Sequence, residues 1–227
     1  MILACITIII VLIYYLLFLR KLHSSFFIVK GYFLERFHTV SCNYQVYNVN
    51  RLMVVAHPDD ELIFGGAELF RKRGWKVVCV TNATSCSENI FGSVGSDVRR
   101  NEFISVMNYF KYPYEIWDFE DNYFNDNWDM QILEIQLRRL FGERKYKKIV
   151  THNLSGEYGH IQHKKLANII YQIGPENLYV FDYDESKINK FVHHIYKLSS
   201  FYKSQKRAFK RYYNYIIHQS TKKISTI

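Results

Sequence analysis

The sequence has few cysteines, and their spacing excludes the small folds that depend on them. Its 227 residues include 4 cysteines, and none of these form a C-x-x-C pair or a dense framework. Neither a zinc ribbon nor a disulfide scaffold is therefore indicated. The chain also lacks internal repeats and low-complexity tracts. Because 48% of the residues are hydrophobic, we expect one globular domain of ordinary size with reduced, structural thiols.

Acidic residues are the scarcer charged type. The chain has 21 Asp and Glu against 30 Lys and Arg, which gives a formal net charge of +9. Such a charge is compatible with nucleic acid, an anionic membrane or a phosphate-bearing substrate. Basic and aromatic residues alternate over 203–215, which is typical of a membrane-facing amphipathic helix or of a solvated surface. We find no base-reading motif, so we expect no nucleic-acid partner.

Charged residues are absent from the apolar run Ile2–Leu19. At 1.5 Å per residue this run would span about 27 Å, which predicts a transmembrane helix over 1–19. A cleaved signal peptide is the alternative, but no basic region precedes the run and no small-residue cleavage motif follows it. Arg20 and Lys21 come directly after it, so the positive-inside rule predicts a cytosolic domain. We expect 20–50 to be a juxtamembrane segment that lies on headgroups or extends the core.

The most informative stretch is 52–61, where the apolar run L-M-V-V leads into A-H-P-D-D-E. The apolar run predicts a strand that is buried on both faces, as in a parallel sheet. Pro58 restricts His57 to an extended conformation and suits the first turn of a helix, so a strand-to-helix turn is expected here. The three acids could serve only as helix-start residues. The carboxyl end of a parallel strand, however, is where open α/β sheets bind ligands.

Strand-like and helical segments alternate along 51–227, which we take as one domain that ends in a basic aromatic helix. This alternation predicts an α/β fold of the Rossmann-like type, with a mostly parallel sheet and helices on both faces. Gly65 and Gly66 fall in the first helix and would allow it to approach the sheet closely. The expected strands are 52–55, 77–81, 114–119, 148–151 and 178–181.

A second polar cluster follows the predicted strand 148–151 and contains the pair His160 and His163. An H-x-x-H pair alone is a weak signal, because histidines at helical spacing are common on protein surfaces. Both clusters, however, follow strands at the same edge of one predicted sheet. His57, Asp60 and His163 can therefore converge, and two imidazoles with one carboxylate suit a catalytic zinc that keeps an open position.

The neighbours of these predicted ligands supply the remaining chemistry. Asp59 is adjacent to a ligand but points elsewhere, so it is free to take a proton from water as a general base. His160 can stabilise a developing oxyanion, with Tyr158 as a second donor. This combination fits hydrolysis of an amide.

The two motifs together resemble the PIG-L/LmbE-like family of zinc-dependent de-N-acetylases, over about 52–171. The resemblance implies the same zinc ligands, general base and oxyanion donor that the residues suggest. It also implies substrate contacts by Arg99, within the pattern S-V-G-x-x-x-R-x-x-E, and by Asp121; Arg99 could otherwise be a plain surface charge. The run Gly156–His160 (G-E-Y-G-H) is more similar to bacterial members than to the G-V-S-G-H of the eukaryotic anchor enzymes.

The resemblance implies zinc-dependent removal of acetyl from a GlcNAc conjugate, borne on a lipid or a glycan. The leading substrate is N-acetylglucosaminyl-phosphatidylinositol in glycosylphosphatidylinositol-anchor synthesis, and another GlcNAc-bearing glycan or lipid is the alternative. Together with the predicted anchor, it implies a single-pass membrane protein of the endoplasmic reticulum with a cytosolic catalytic domain. An inactive, membrane-bound adaptor that keeps the fold stays open as a different class of function.

Overall fold

The computed structural model describes residues 40–42, 48–85, 96–121 and 127–224 of the chain. The strands of this part are β1 (Val40–Cys42), β2 (Arg51–Val55), β3 (Trp75–Ser85), β4 (Tyr114–Asp121), β5 (Lys148–Thr151), β6 (Leu178–Tyr183) and β7 (Gln219–Lys223). Its helices are α1 (Asp60–Ile63), α2 (Gly66–Arg71), α3 (Ser96–Phe110), α4 (Met130–Gly142), α5 (Ile161–Ile173), α6 (Val192–Leu198), α7 (Lys206–Arg211) and α8 (Tyr213–Ile217). A 3-10 turn, Ser199–Phe201, follows α6.

The seven described strands form one sheet in the order β1-β4-β3-β2-β5-β6-β7. The five inner strands are parallel, and β1 and β7 pair antiparallel at the two edges. From β2 the chain builds outward through β3 and β4, and it then returns to the other side of β2 as β5. Open α/β sheets bind ligands where the strand order reverses in this way. The predicted mostly parallel α/β fold is thus confirmed, and the reversal lies between the strands that precede the two polar motifs.

The core has two layers, one on each face of the sheet. In β2, Leu52 and Val54 face one layer, whereas Met53 and Val55 face the other, and all four are fully buried. The first layer is completed by α4 and α5, and the second by α1, α2, α3 and the C-terminal helices. Because β2 is covered on both faces, its sequence reads as a continuous apolar run rather than as an alternation.

Gly65 allows the segment after α1 to lie close to β2, and Gly66 allows it to lie close to α6. A Cβ atom added to Gly65 would lie 2.6 Å from the Cε atom of Met53, and one added to Gly66 would lie 2.9 Å from Ile195. No larger residue fits either position without moving its neighbour. The predicted close approach of this segment to the sheet is therefore present.

The C-terminal segment differs from the single basic aromatic helix that the sequence suggested. It folds as the 3-10 turn, the short helices α7 and α8, and the edge strand β7. Phe209 and Ile216 are buried in the core, while the basic side chains of α7 are exposed. The apolar face of this segment is therefore covered by the protein's own core.

The predicted localisation as a single-pass membrane protein is wrong for the part of the chain that the structure describes. None of the helices there has the length and the apolar character needed to cross a bilayer. The predicted transmembrane helix over 1–19 itself lies outside the described residues, as does most of the predicted juxtamembrane segment 20–50. The inferred organelle and orientation depended on that helix and have no support here.

Candidate active site

The two sequence motifs meet at the carboxyl ends of β2 and β5. His57 follows β2 and Asp60 begins α1, while His163 lies in the first turn of α5; all three side chains are buried. The Nδ1 atom of His57 lies 3.1 Å from Nε2 of His163 and 3.2 Å from Oδ2 of Asp60. Nε2 of His163 lies 3.2 Å from the same carboxylate oxygen. The three predicted metal ligands thus place one atom each at the corners of a small triangle.

In His57 and His163, the ring nitrogen that points away from the triangle makes a hydrogen bond that fixes the tautomer of the ring. Nε2–H of His57 donates to Oε1 of Gln162 at 2.6 Å, because the amide nitrogen of Gln162 donates to a β4 carbonyl. Nδ1–H of His163 donates to Oε2 of Glu157 at 2.7 Å. Each imidazole therefore turns a lone pair, not a proton, toward the carboxylate of Asp60.

The triangle fits a divalent cation. Three electron-pair donors this close together repel one another unless a cation or a proton lies among them. A tetrahedral zinc with bonds of about 2.0–2.1 Å separates its ligand atoms by about 3.3–3.4 Å, close to the observed 3.1–3.2 Å. A set of two imidazole nitrogens and one carboxylate oxygen is typical of catalytic zinc sites. The residues present therefore fit the metal that the sequence predicted.

His152, at the end of β5, lies behind the triangle. Its Nε2 atom is 3.4 Å from Asp60, so Asp60, His152 and His163 form a second possible ligand group. That nitrogen, however, accepts the backbone N–H of Ala56 at 3.0 Å, and Nδ1–H donates to Glu157 at 2.9 Å. Both ring nitrogens are thus engaged, and the ring stacks on His163 with centroids 3.8 Å apart. His152 supports a ligand rather than acting as one.

The predicted oxyanion donors lie beside the triangle. The ring of His160 is 4.6 Å from the rings of both His57 and His163. Its Nδ1 atom accepts a backbone N–H of the first turn of α5, so the proton of the neutral ring lies on Nε2. Burial, together with the two neighbouring imidazoles, lowers the pKa of His160 to about 2. The ring of Tyr158 lies 5.7 Å from that of His160 and stacks on an aromatic ring of the C-terminal segment.

Asp59 adopts a backbone conformation that is rare for a residue other than glycine, with φ at 113°. Its backbone N–H donates to Oε2 of Glu61 at 3.0 Å, and its carboxylate lies 3.7 Å from the guanidinium of Arg99. Burial raises the pKa of Asp59 well above its ordinary value; the Arg99 charge opposes the rise, and the charges of Asp60 and Glu61 add to it. A carboxylate with a raised pKa is a stronger base.

The predicted substrate-binding residues pair with each other. Nη1 of Arg99 donates to Oδ2 of Asp121, and Nη2 donates to the carbonyl of Pro58 at 3.1 Å. The other carboxylate oxygen of Asp121 lies 3.7 Å from Nε2 of His57. The pair therefore borders the metal-ligand triangle, and Asp121 holds Nη1 of Arg99. Residues 93–95 of the arginine pattern lie outside the described residues.

Sequence reasoning missed the residues that orient the ligands. Glu157 accepts hydrogen bonds from both His152 and His163, and Gln162 accepts one from His57. Burial would raise the pKa of Glu157, but the two imidazoles outweigh it and lower the pKa to about 2. The available signal was a carboxylate and an amide within six residues of a predicted ligand, since metal-bound histidines usually donate their second N–H to such groups.

Solved structures of low sequence identity share the fold. The A40926 pseudoaglycone deacetylase Dbv21 aligns with a TM-score of 0.60 at 13% identity, over 80% of this chain and 99% of that one. The N,N'-diacetylchitobiose deacetylase of Pyrococcus horikoshii aligns at 0.57 and 12%, over 77% and 84%. The 4-carboxy-2-hydroxymuconate hydratase GalB of Pseudomonas putida aligns at 0.56 and 15%, over 77% and 95%. At these low identities, the alignments show that the three structures share the fold of this chain.

Two sequence comparisons give the family. The uncharacterized protein L374 of Acanthamoeba polyphaga mimivirus is 48% identical over 209 residues, which is 90% of this chain and 88% of that protein. The family model for PIG-L, described as GlcNAc-PI de-N-acetylase, matches residues 52–174. This span contains both histidine motifs, and it confirms the resemblance inferred from them. The chain belongs to the PIG-L family of GlcNAc-type de-N-acetylases.

Proposed function

We propose that this chain is a zinc-dependent hydrolase that removes the N-acetyl group from a GlcNAc conjugate. The observation that carries the proposal is the triangle formed by Nδ1 of His57, Oδ2 of Asp60 and Nε2 of His163. Membership of a family described as GlcNAc-PI de-N-acetylase supports it, as do two neighbours in fold that are named as deacetylases.

In this proposal His57, Asp60 and His163 hold the metal. Both imidazoles can donate a lone pair, because Gln162 and Glu157 hold their outer N–H groups and so determine the tautomer. When bound there, zinc lowers the pKa of a coordinated water to about 7 and polarises the amide carbonyl.

The neighbouring side chains move the protons. Asp59 takes a proton from the attacking water, whose oxygen forms a bond to the acetyl carbon. Nε2–H of His160 donates to the carbonyl oxygen as negative charge develops on it, and the hydroxyl of Tyr158 supplies a second hydrogen bond. Asp59 then gives the proton to the nitrogen as the carbon–nitrogen bond breaks. The products are acetate and a conjugate with a free amino sugar.

The leading substrate in this proposal is N-acetylglucosaminyl-phosphatidylinositol, which the family description names. Asp121 is placed to accept hydrogen bonds from sugar hydroxyls, because it borders the triangle and one of its oxygens lies 3.7 Å from His57. Arg99 holds that carboxylate in place and also contacts the carbonyl of Pro58. Other GlcNAc-bearing glycans and lipids use the same sugar contacts and are the alternative substrates.

A panel of GlcNAc conjugates tests the proposal directly. We expect the purified chain to contain about one zinc and to release acetate from GlcNAc-phosphatidylinositol or from another GlcNAc conjugate. Chelation should stop the release, and added zinc should restore it. Mass spectrometry of the products identifies the substrate. Stoichiometric zinc without acetate release from any conjugate would contradict the proposal and favour the inactive adaptor.

The variant Arg99→Ala serves as the control for phosphate recognition within that panel. Because Arg99 contacts Asp121 and Pro58, we expect the variant to lose turnover on phosphate-bearing and phosphate-free conjugates alike. A loss confined to the phosphate-bearing conjugates would instead assign Arg99 to the phosphate.

We expect Glu157→Gln to weaken zinc binding by about 10- to 100-fold, the usual cost of losing the partner that orients a ligand. Oε2 of Glu157 accepts from His152 and His163, while Oε1 accepts the backbone N–H of Asn153. In either orientation of the glutamine side chain, its NH₂ group therefore faces an N–H group, either those of the two imidazoles or that of the Asn153 backbone. Competition with a chromogenic chelator measures the apparent Kd.

The matched control for this variant is Glu176→Gln, since the carboxylate of Glu176 is exposed and pairs with the exposed Lys145 on the surface. It should bind zinc like the parent protein. An unchanged Kd for Glu157→Gln would show that Glu157 does not hold His163 for the metal.

A further inference from the structure

A buried hydrogen-bonded chain connects the C-terminal segment to the candidate general base. The hydroxyl of Tyr202 donates to Oε1 of Glu61 at 2.7 Å, and Oε2 of Glu61 accepts the backbone N–H of Asp59 at 3.0 Å. Tyr202 and Glu61 are both 0% exposed. Each oxygen of the Glu61 carboxylate therefore accepts one of these hydrogen bonds, so that Glu61 bridges Tyr202 and Asp59.

The backbone of Asp59 needs such support. A φ of 113° is sparsely populated by residues with a side chain, and such conformations persist only where the surroundings hold them. Two constraints act here, namely the bond from the Asp59 N–H to Glu61 and the α1 N–H groups that donate to the Asp59 carbonyl. Because this backbone conformation sets where the Asp59 carboxylate points, Glu61 controls the direction of the proposed base.

Tyr202 is itself firmly held. Its ring stacks on Phe209 with centroids 5.6 Å apart, in the core beneath the site. Two residues later, the backbone N–H of Ser204 donates to Glu102 at 2.9 Å, on the helix that carries Arg99. The hydroxyl of Tyr202 therefore comes from a buried and well-packed part of the fold, well after the two histidine motifs in the chain.

We propose that Tyr202, acting through Glu61, is a positioning residue for the general base Asp59. This inference rests on the proposed function, because it takes Asp59 as the group that removes the proton from water. Without the hydroxyl, one oxygen of Glu61 loses its donor and the carboxylate can turn away from the Asp59 N–H. The bonds from Arg99 to Asp121 and Pro58 and the contacts of the metal-ligand triangle are made by other atoms than that hydroxyl.

The test is Tyr202→Phe, which removes the hydroxyl and keeps the ring. We expect kcat to fall about tenfold, less than the 10²- to 10⁴-fold that a general base typically contributes, with KM and zinc content unchanged. The matched control is Tyr112→Phe. The hydroxyl of Tyr112 is also buried, and its one hydrogen is shared between the backbone carbonyl oxygens of Leu69, at 3.0 Å, and Lys72, at 3.2 Å. The Tyr112→Phe variant should lose about as much thermal stability as Tyr202→Phe, while its kcat stays at the parent value.

A double-mutant cycle separates positioning from general loss of structure. In the Asp59→Asn background there is no base to position, so adding Tyr202→Phe should lower the residual rate no further. An unchanged kcat for Tyr202→Phe, or the same loss in both backgrounds, would overturn the inference. Full activity of Asp59→Asn alone would instead overturn the base assignment in the proposed function. Rates are normalised to zinc content, so that only folded, metal-loaded protein is compared.

Discussion

Replacing His163 by alanine is expected to abolish stoichiometric zinc binding and to lower the rate of acetate release by more than about 10²-fold. Within the part of the chain that the structure describes, His163 belongs to two clusters of side chains that could hold a metal and to the proposed triangle. In the first cluster His163 lies with His57 and His160, and in the second it lies with Asp60 and His152. In the triangle it lies with His57 and Asp60. Its removal leaves the triangle with only two protein ligands, His57 and Asp60.

The size of the effect follows from the energy of metal binding. Structural zinc binds four protein ligands with about 10–16 kcal/mol in total, which is about 2.5–4 kcal/mol or about 10²- to 10³-fold in affinity per ligand. A site with only three protein ligands has a smaller total free energy of zinc binding, so the loss of one ligand is expected to leave it without stoichiometric zinc. Zinc content after dialysis and the rate of acetate release measure the two effects separately.

The control for this variant is His193→Ala, which removes an exposed imidazole of α6. It should keep both the zinc and the activity. If His163→Ala retained one zinc at the parent affinity, the metal would be bound elsewhere and the proposed site would be wrong.

The fold and the ligand triangle could be predicted because their signals are local. The four buried residues of β2 form one apolar run, the strand ends at Val55 shortly before Pro58, and α1 begins within three residues of His57. The predicted strand 148–151 coincides with β5. Parallel strands place their carboxyl ends at one edge, so motifs about a hundred residues apart could be expected to meet.

The contact of Tyr202, the role of Gln162 and the strand β7 could not be predicted, because they depend on packing between distant segments or on the orientation of a histidine ring. Tyr202 is 141 residues from Glu61, and no local pattern indicates that contact. The role of Gln162 follows only once Nε2 of His57 is seen to point toward it. Strand β7 has the polar sequence Q-S-T-K-K and lies at the edge of the sheet, so it lacks the apolar pattern by which strands are recognised. Its lysines are typical of protected edge strands.

The second large effect is expected for Asp59→Asn, which should retain zinc but lose about 10²- to 10⁴-fold in kcat, the typical contribution of a general base. Asn removes the basic carboxylate with little change in shape, and it tolerates a positive φ better than most residues. Asp59→Ala should also lose turnover, but it adds strain at φ 113°. The Asn variant therefore isolates the chemical role. Zinc should remain, because the Asp59 carboxylate lies beside Arg99 and takes no part in the triangle.

Zinc content, kcat and KM of the Asp59→Asn variant decide between the roles open to this carboxylate. A base leaves zinc and KM near their parent values and lowers kcat, since its contribution arises only in the transition state. A metal ligand would lose zinc instead. The control is Asp97→Asn, which neutralises an exposed carboxylate on α3 and should change none of the three quantities. Parent-like turnover by Asp59→Asn would remove Asp59 from the proton transfer, and a different group would then have to accept the proton of the attacking water.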